Sequence, residues 1–128
     1  MKELDLMIKK PGFPVQRIHV ADVLGVYERL VDGLIEIMYP YLVSDMLPKD
    51  ICFLINDEGI FKHLQSNIAH GFDKIVGNIV VACIGKDGEL VSVPYEYERL
   101  IEEYMERQED VLWDRIATTE KGLSMGIL

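Results

Sequence analysis

The stretch "KIVGNIVVACIG" (Lys74 to Gly85) is the longest apolar run in this chain, and a shorter one, "ICFLI" (Ile51 to Ile55), precedes it. Neither alternates apolar with polar residues, as a strand with one wet face does. Short continuous runs bounded by turn signals read as central strands of a sheet. The longer run reads as a single strand, with Gly77 as a bulge or a point of close backbone approach. The rest of the chain must therefore fold around a sheet.

The turn signals divide that remainder. "ELDLMIKK" (Glu3 to Lys10) and "VQRIHV" (Val15 to Val20) flank the turn "PGFP" and read as a hairpin. The period then changes. Val23, Leu24, Tyr27, Leu30 and Val31 fall on one face of a helix over Ala21 to Gly33, with Asp22 placed to cap its start and Gly33 to close its end. Gly25 weakens that helix unless something packs closely against it. "LIEIMYPY" (Leu34 to Tyr41) reads as a strand ended by Pro40. "NDEG" (Asn56 to Gly59) reads as a hairpin turn with "IFKHL" as its return strand, and "QSNIAHG" as a loop or one helical turn. "KDG" is another hairpin turn before "ELVSV". Pro94 stands at the first position of a long helix running to Ile116, after which the pattern is lost in "ATTEKGLSMGIL". That tail is either frayed or docked by Leu123, Met125, Ile127 and Leu128. The expected fold is a single α+β domain over residues 1–128, with 118–128 as a tail. It has a mainly antiparallel sheet, one short helix and a long C-terminal helix.

Composition narrows the function classes. The formal net charge of −9 disfavours a general nucleic-acid binder, whose affinity comes from Lys and Arg neutralising phosphates. No apolar run approaches the roughly 20 residues that cross a bilayer, and the charged N-terminus does not read as a signal peptide. The expectation is a cytoplasmic protein without membrane contact. Cys52 and Cys83 each sit inside an apolar run and read as small buried hydrophobes in a reducing compartment. His19, His63 and His70 match no metal-ligand spacing, and no nucleophile elbow or phosphate loop occurs. No cofactor, metal or catalytic residue is expected, and binding is favoured over turnover. A small hydrolase using His63 or His70 stays as an alternative.

Two binding constellations remain. The segment Asn56 to His70 carries donors, acceptors and a positive charge without a large acidic load, so it is one of few places where this acidic chain would tolerate an anion. Lys62, His63, Gln65, Asn67 and His70 are its candidate ligand residues. Tyr39 and Tyr41, which bracket Pro40, could stack bases. The second constellation is the long helix, where Glu98, Glu102 and Glu106 form a like-charged stripe. A solvated face is the simplest account of it, and a DNA-mimicking or protein-binding face is the functional one. The same helix, with its apolar stripes and Trp113, is the expected contact in a homo-oligomer.

The order "LVDGLIEIMYP", an apolar strand ending in "INDEG", "LQSN", and then "DKIVGNIVVACIGKDGELVSV" resembles a family of small uncharacterised domains common in bacteriophages and mobile elements. Members of that family show a "GGYIE-V" segment, "NEEGK", "LP-N", an "I-G---V-G" strand and a "GE--SL" hairpin. Gly33, Ile35, Glu36, Asn56, Glu58, Gly59, Asn67, Gly77, Gly88 and Glu89 occupy the pattern positions, while "VDG" and "LQSN" depart from it. The resemblance spans roughly Val15 to Val93 and implies a phage-like context without an established reaction. By analogy it implies an anti-defence protein that sequesters a small cyclic nucleotide between subunits. The rival is an acidic DNA mimic or protein-binding inhibitor of a host protein.

Overall fold

The computed structural model describes the backbone of residues 2–127 and the side chains of residues 2–118. In chain order it contains β1 (Glu3–Lys9), β2 (Gln16–Ala21), α1 (Leu24–Val31), β3 (Ile35–Met38), a 3-10 turn (Pro40–Leu42), β4 (Ile51–Asn56), β5 (Ser66–His70), β6 (Asp73–Val76), β7 (Ile79–Ile84), β8 (Leu90–Val91), a second 3-10 turn (Tyr95–Tyr97) and α2 (Glu98–Ile127). The main sheet runs β2-β1-β7-β4-β3 with β8 also paired to β7, and β5-β6 forms a separate two-stranded sheet. Every pairing is antiparallel. The fold is α+β, with one short and one long helix as the sequence pattern implies.

Alternation along the central strands assigns the two faces of the main sheet. Phe53 packs its ring 6.2 Å from that of Tyr104 in α2. Its cross-strand neighbour Val81 stands opposite Met7, so Met7, Val81 and Phe53 share the α2 face. Asn56 donates to the carbonyls of Val31 and Asp32 at the end of α1. Leu54, Val80 and Ile8 share its side of the sheet, the α1 face. Both faces are covered, which is why β4 and all of β7 except its last residue are buried without alternation. Cys52 lies opposite Ala82 and Cys83 opposite Ile51, so the two thiols point to opposite faces. Both are free and buried, and burial pushes each up to about 12.

Several local expectations change. The run Lys74 to Gly85 is two strands in two sheets, separated at Gly77 and Asn78. Gly77 has φ of +77°, and a Cβ there would lie 2.8 Å from Leu64 Cδ1, so the expected close approach is real but ends a strand. "IFKHL" does not return as a strand. Residues after Asn56 instead form a helical turn, closed by Leu64 N–H to Gly59 O and His63 N–H to Ile60 O. His63 sits in the left-handed region at φ of +56° as the terminator of that turn. "SNIAH" is strand β5, not a loop.

The short helix also begins and ends differently. Asp22 accepts a hydrogen bond from Tyr27 OH instead of capping the first turn. Val23 and Leu24 are exposed, while Tyr27 and Val31 are buried. Asp32, not Gly33, takes the left-handed position that closes α1. Gly25 has open space where a Cβ would stand, so nothing packs against it. The strand around Ile37 stops at Met38, and Pro94 precedes a 3-10 turn before α2 starts at Glu98. The docking of the tail through Leu123, Met125, Ile127 and Leu128 lies outside the described residues.

Candidate functional site

The candidate site is a cleft of about 430 Å³ between the β1–β2 turn and α2. The turn arises because Pro11 and Gly12 reverse the chain, with Gly12 at φ of +80° and Phe13 N–H bonded to Lys10 O at 3.1 Å. That reversal lifts Phe13 out of the hairpin, where it is 61 % exposed. Phe13, Pro14, Val15 and Met105 give the cleft its apolar lining, and Glu102, Glu106 and Glu109 supply carboxylates. Glu102 and Glu106 are exposed and make no ion pair among the described residues. One helical turn separates them, about 6 Å along the axis.

Lys9 forms the inner wall. It lies on the α2 face of β1 and is 1 % exposed. Its Nζ donates to Glu109 Oε2 at 2.8 Å, Asn67 Oδ1 at 3.1 Å and Lys10 O at 3.0 Å, which occupies all three protons of the ammonium. Asn67 in turn donates from Nδ2 to the carbonyls of Lys9 and Gly77, both at 2.8 Å. Burial of a charge is tolerated only with such compensation. Farther along the same helix face, Glu98 accepts from Arg17 Nε at 3.1 Å, and Arg17 lies over the Tyr95 ring at 4.8 Å. Both ends of the acidic face are thus neutralised by β1 and β2. The middle, Glu102 and Glu106, is not.

The residues marked from sequence are spread over the molecule. Asn67 is buried and committed to the Lys9 network. Lys62, His63 and Gln65 are exposed on or beside the helical turn after β4, and Lys62 Nζ lies 3.4 Å from Asp32 O. Tyr39 and Tyr41 sit past the other end of β3 with rings 6.1 Å apart and tilted by 59°. His70 ends β5 half-buried, three residues beyond Asn67 on the same strand. Lys9, Phe13 and Glu109 escaped the sequence reading. For Lys9 a signal existed: it shares strand parity with Met7 and so points to a buried face. Phe13 read only as part of a turn, and Glu109 as one acid among many.

The arrangement defines an α+β domain with an acidic, aromatic-edged cleft. Among the described residues no helix is long and apolar enough to cross a membrane, and no group of three His, Cys, Asp or Glu could hold a metal ion. The family model of the Domain of unknown function DUF3846 matches residues 1–109, and the chain belongs to that family. No curated protein and no solved structure matches it.

Proposed function

We propose that this domain is a binding module that captures a positively charged segment of a protein partner in the cleft beside α2. The observation that carries this reading is the unpaired state of Glu102 and Glu106 in a cleft that also presents Phe13 and Met105. An arginine or lysine side chain has the matching form, with a cation for the carboxylates and an aliphatic stem or guanidinium plane for the aromatic ring. Glu98 and Glu109 on either side are already paired, so Glu102 and Glu106 are the cleft-side carboxylates left to meet a cation. In a phage or mobile element, such a module would act by occupying a basic surface of a host regulatory or defence protein.

Fluorescence anisotropy with a labelled arginine-rich peptide tests this directly. Binding weakens at least tenfold in Glu102→Gln/Glu106→Gln and several-fold in Phe13→Ala, and it falls as salt rises. Equal affinity of the wild type and the double variant removes the reading.

A second reading keeps one favourable observation. Lys62, His63 and Gln65 are all exposed at one turn, so a small nucleotide could meet a cation and two polar side chains there, without turnover. A melting scan against cyclic dinucleotides and trinucleotides tests it, because a ligand that binds only the folded state raises stability in proportion to ln(1 + [L]/Kd). Absence of any shift at millimolar ligand counts against it.

A further inference from the structure

We propose that the outer edge of β3 pairs antiparallel with the same edge of a second copy of this chain, with the twofold axis passing through Ile37. β3 is the last strand of the main sheet, and its outer side has no strand partner among the described residues. The phase of its hydrogen bonding follows from one bond: Asp57 N–H donates to Leu34 O at 2.9 Å, while Ile35 stands opposite Asn56. Bonded and non-bonded pairs alternate in an antiparallel ladder. Glu36 and Met38 therefore bond inward to β4, and Ile35 and Ile37 turn their N–H and C=O groups outward. An open row of this kind is a template for another strand.

One self-pairing register uses the whole open row; a twofold through Met38, for example, would set Ile35 against Tyr41, which lies in the 3-10 turn. A twofold through Glu36 would set that carboxylate against its own copy in a close non-bonded pair, where like charges repel. A twofold through Ile35 would require Gly33, whose N–H already binds Glu28 O at 2.9 Å. A twofold through Ile37 sets Ile37 against its copy, Ile35 against Tyr39 and Glu36 against Met38. Tyr39 is extended, with φ −110° and ψ 105°, and Pro40, lacking an N–H, ends the ladder.

The surroundings select a second copy over a single peptide strand. Leu34, Ile37, Tyr41, Leu42, Val43 and Phe72 are exposed by 37 % to 107 %. Val43 packs over Gly71, which brings the Pro40–Leu42 turn beside Phe72. Their exposed apolar area is roughly 600 Å² per copy, close to the roughly 800 Å² per partner of a standard interface. A lone strand would satisfy the edge and leave Leu42, Val43 and Phe72 in water. The acidic cleft opens between α2 and the β1–β2 turn, beside the edge of the sheet opposite to β3. Three strand spacings separate β1 from β3, about 14 Å, which exceeds the screening length of about 8 Å at physiological salt.

Sedimentation and cross-linking test this proposal, independently of the cleft. The wild type is expected to sediment as a dimer at micromolar concentration, and Ile37→Lys as a monomer with an unchanged circular dichroism spectrum. Ile37→Cys keeps the strand apolar and places two thiols across the axis with Cα atoms about 5.5 Å apart, within disulfide reach. It is expected to cross-link on mild oxidation at least tenfold faster than Glu36→Cys, which faces Met38 of the other copy. A monomeric wild type at 100 µM (~100 µM being a generous ceiling for a specific dimer), a dimer that survives Ile37→Lys, or equal cross-linking of the two cysteine variants overturns it.

Discussion

His70 ends β5 half-buried, and its Nδ1 is sealed from solvent without a hydrogen-bond partner among the described residues. Burial holds the imidazole below its ordinary value of 6.5, and the Asp73 carboxylate opposes that shift only in part. The sign follows from which state binds the proton. A histidine with a depressed folded value binds fewer protons when folded than when unfolded, so stability falls as pH drops through about 6.5 and goes on falling to the folded value. His19 acts in the opposite sense. The Asp5 carboxylate bonded to it at 2.7 Å raises its value, so its contribution is present below 6.5 and fades as pH rises through the raised one. Comparing wild type with His70→Leu isolates the first effect, since His19 is common to both. Urea midpoints at pH 7.5 and pH 5.5 should drop more in the wild type than in the variant. Equal drops would show that His70 is not the source. The unmet Nδ1 also means that the leucine forfeits no hydrogen bond at that nitrogen at neutral pH.

At the scale of elements, one lysine joins three of them. Lys9 in β1 bonds Asn67 in β5 and Glu109 in α2, and Asn67 ties both to the Gly77 carbonyl between β6 and β7. Glu109→Ala leaves the Lys9 ammonium buried without its counter-charge. Breaking a buried pair costs about 3–5 kcal/mol, and the 23 % exposure of the glutamate places this one at the lower end, near 3 kcal/mol. The double change Lys9→Met/Glu109→Leu removes charge and counter-charge together and should recover most of that loss, as a cycle of urea denaturation curves will measure. Additive losses in the double variant would mean that the two side chains do not act as a pair. The same network explains which elements were legible from sequence. β1, β2, β4 and β7 announce themselves by apolar runs or alternation around clear turns. β5 holds Asn67 at its centre and has Ser66 and His70 at its ends, so its polarity reads as loop, although the asparagine is polar because it must serve Lys9. The break at Gly77 hides inside an apolar run because Ile75, Val76 and Ile79 are buried on either side of it. For the site, the acidic helix face was visible and the cleft was not, since a cleft depends on where Phe13 is carried by the turn.

The molecule as a whole carries a net charge of −9, and α2 concentrates part of it. Glu102, Glu106, Asp110 and Asp114 are all exposed and follow one another at four-residue steps. Each like-charged neighbour pair on a helix costs about 0.2–0.5 kcal/mol, so the three steps together weaken the fold by about 1 kcal/mol. Against this stand the Arg17–Glu98 and Arg99–Glu103 pairs, both at 3.1 Å and at least partly in water. Exposed pairs of this kind contribute about 0–1 kcal/mol each and are screened by the same salt. The repulsion is the larger quantity, because it includes the self-repulsion of the whole acidic surface as well as the stripe. Raising sodium chloride from about 0.02 M to about 0.5 M shortens the screening length from above 20 Å to about 4 Å. The melting temperature is therefore expected to rise by about 3–5 °C for a domain of this size. In Glu106→Gln/Asp110→Asn, which interrupts all three steps, the melting temperature should already be higher at low salt and should rise less on salt addition. A fall with salt would mean that the two arginine pairs outweigh the stripe. The variant also separates stability from binding. It relieves the repulsion that a basic partner would relieve, so its gain in melting temperature and its loss of affinity for an arginine-rich peptide should appear together.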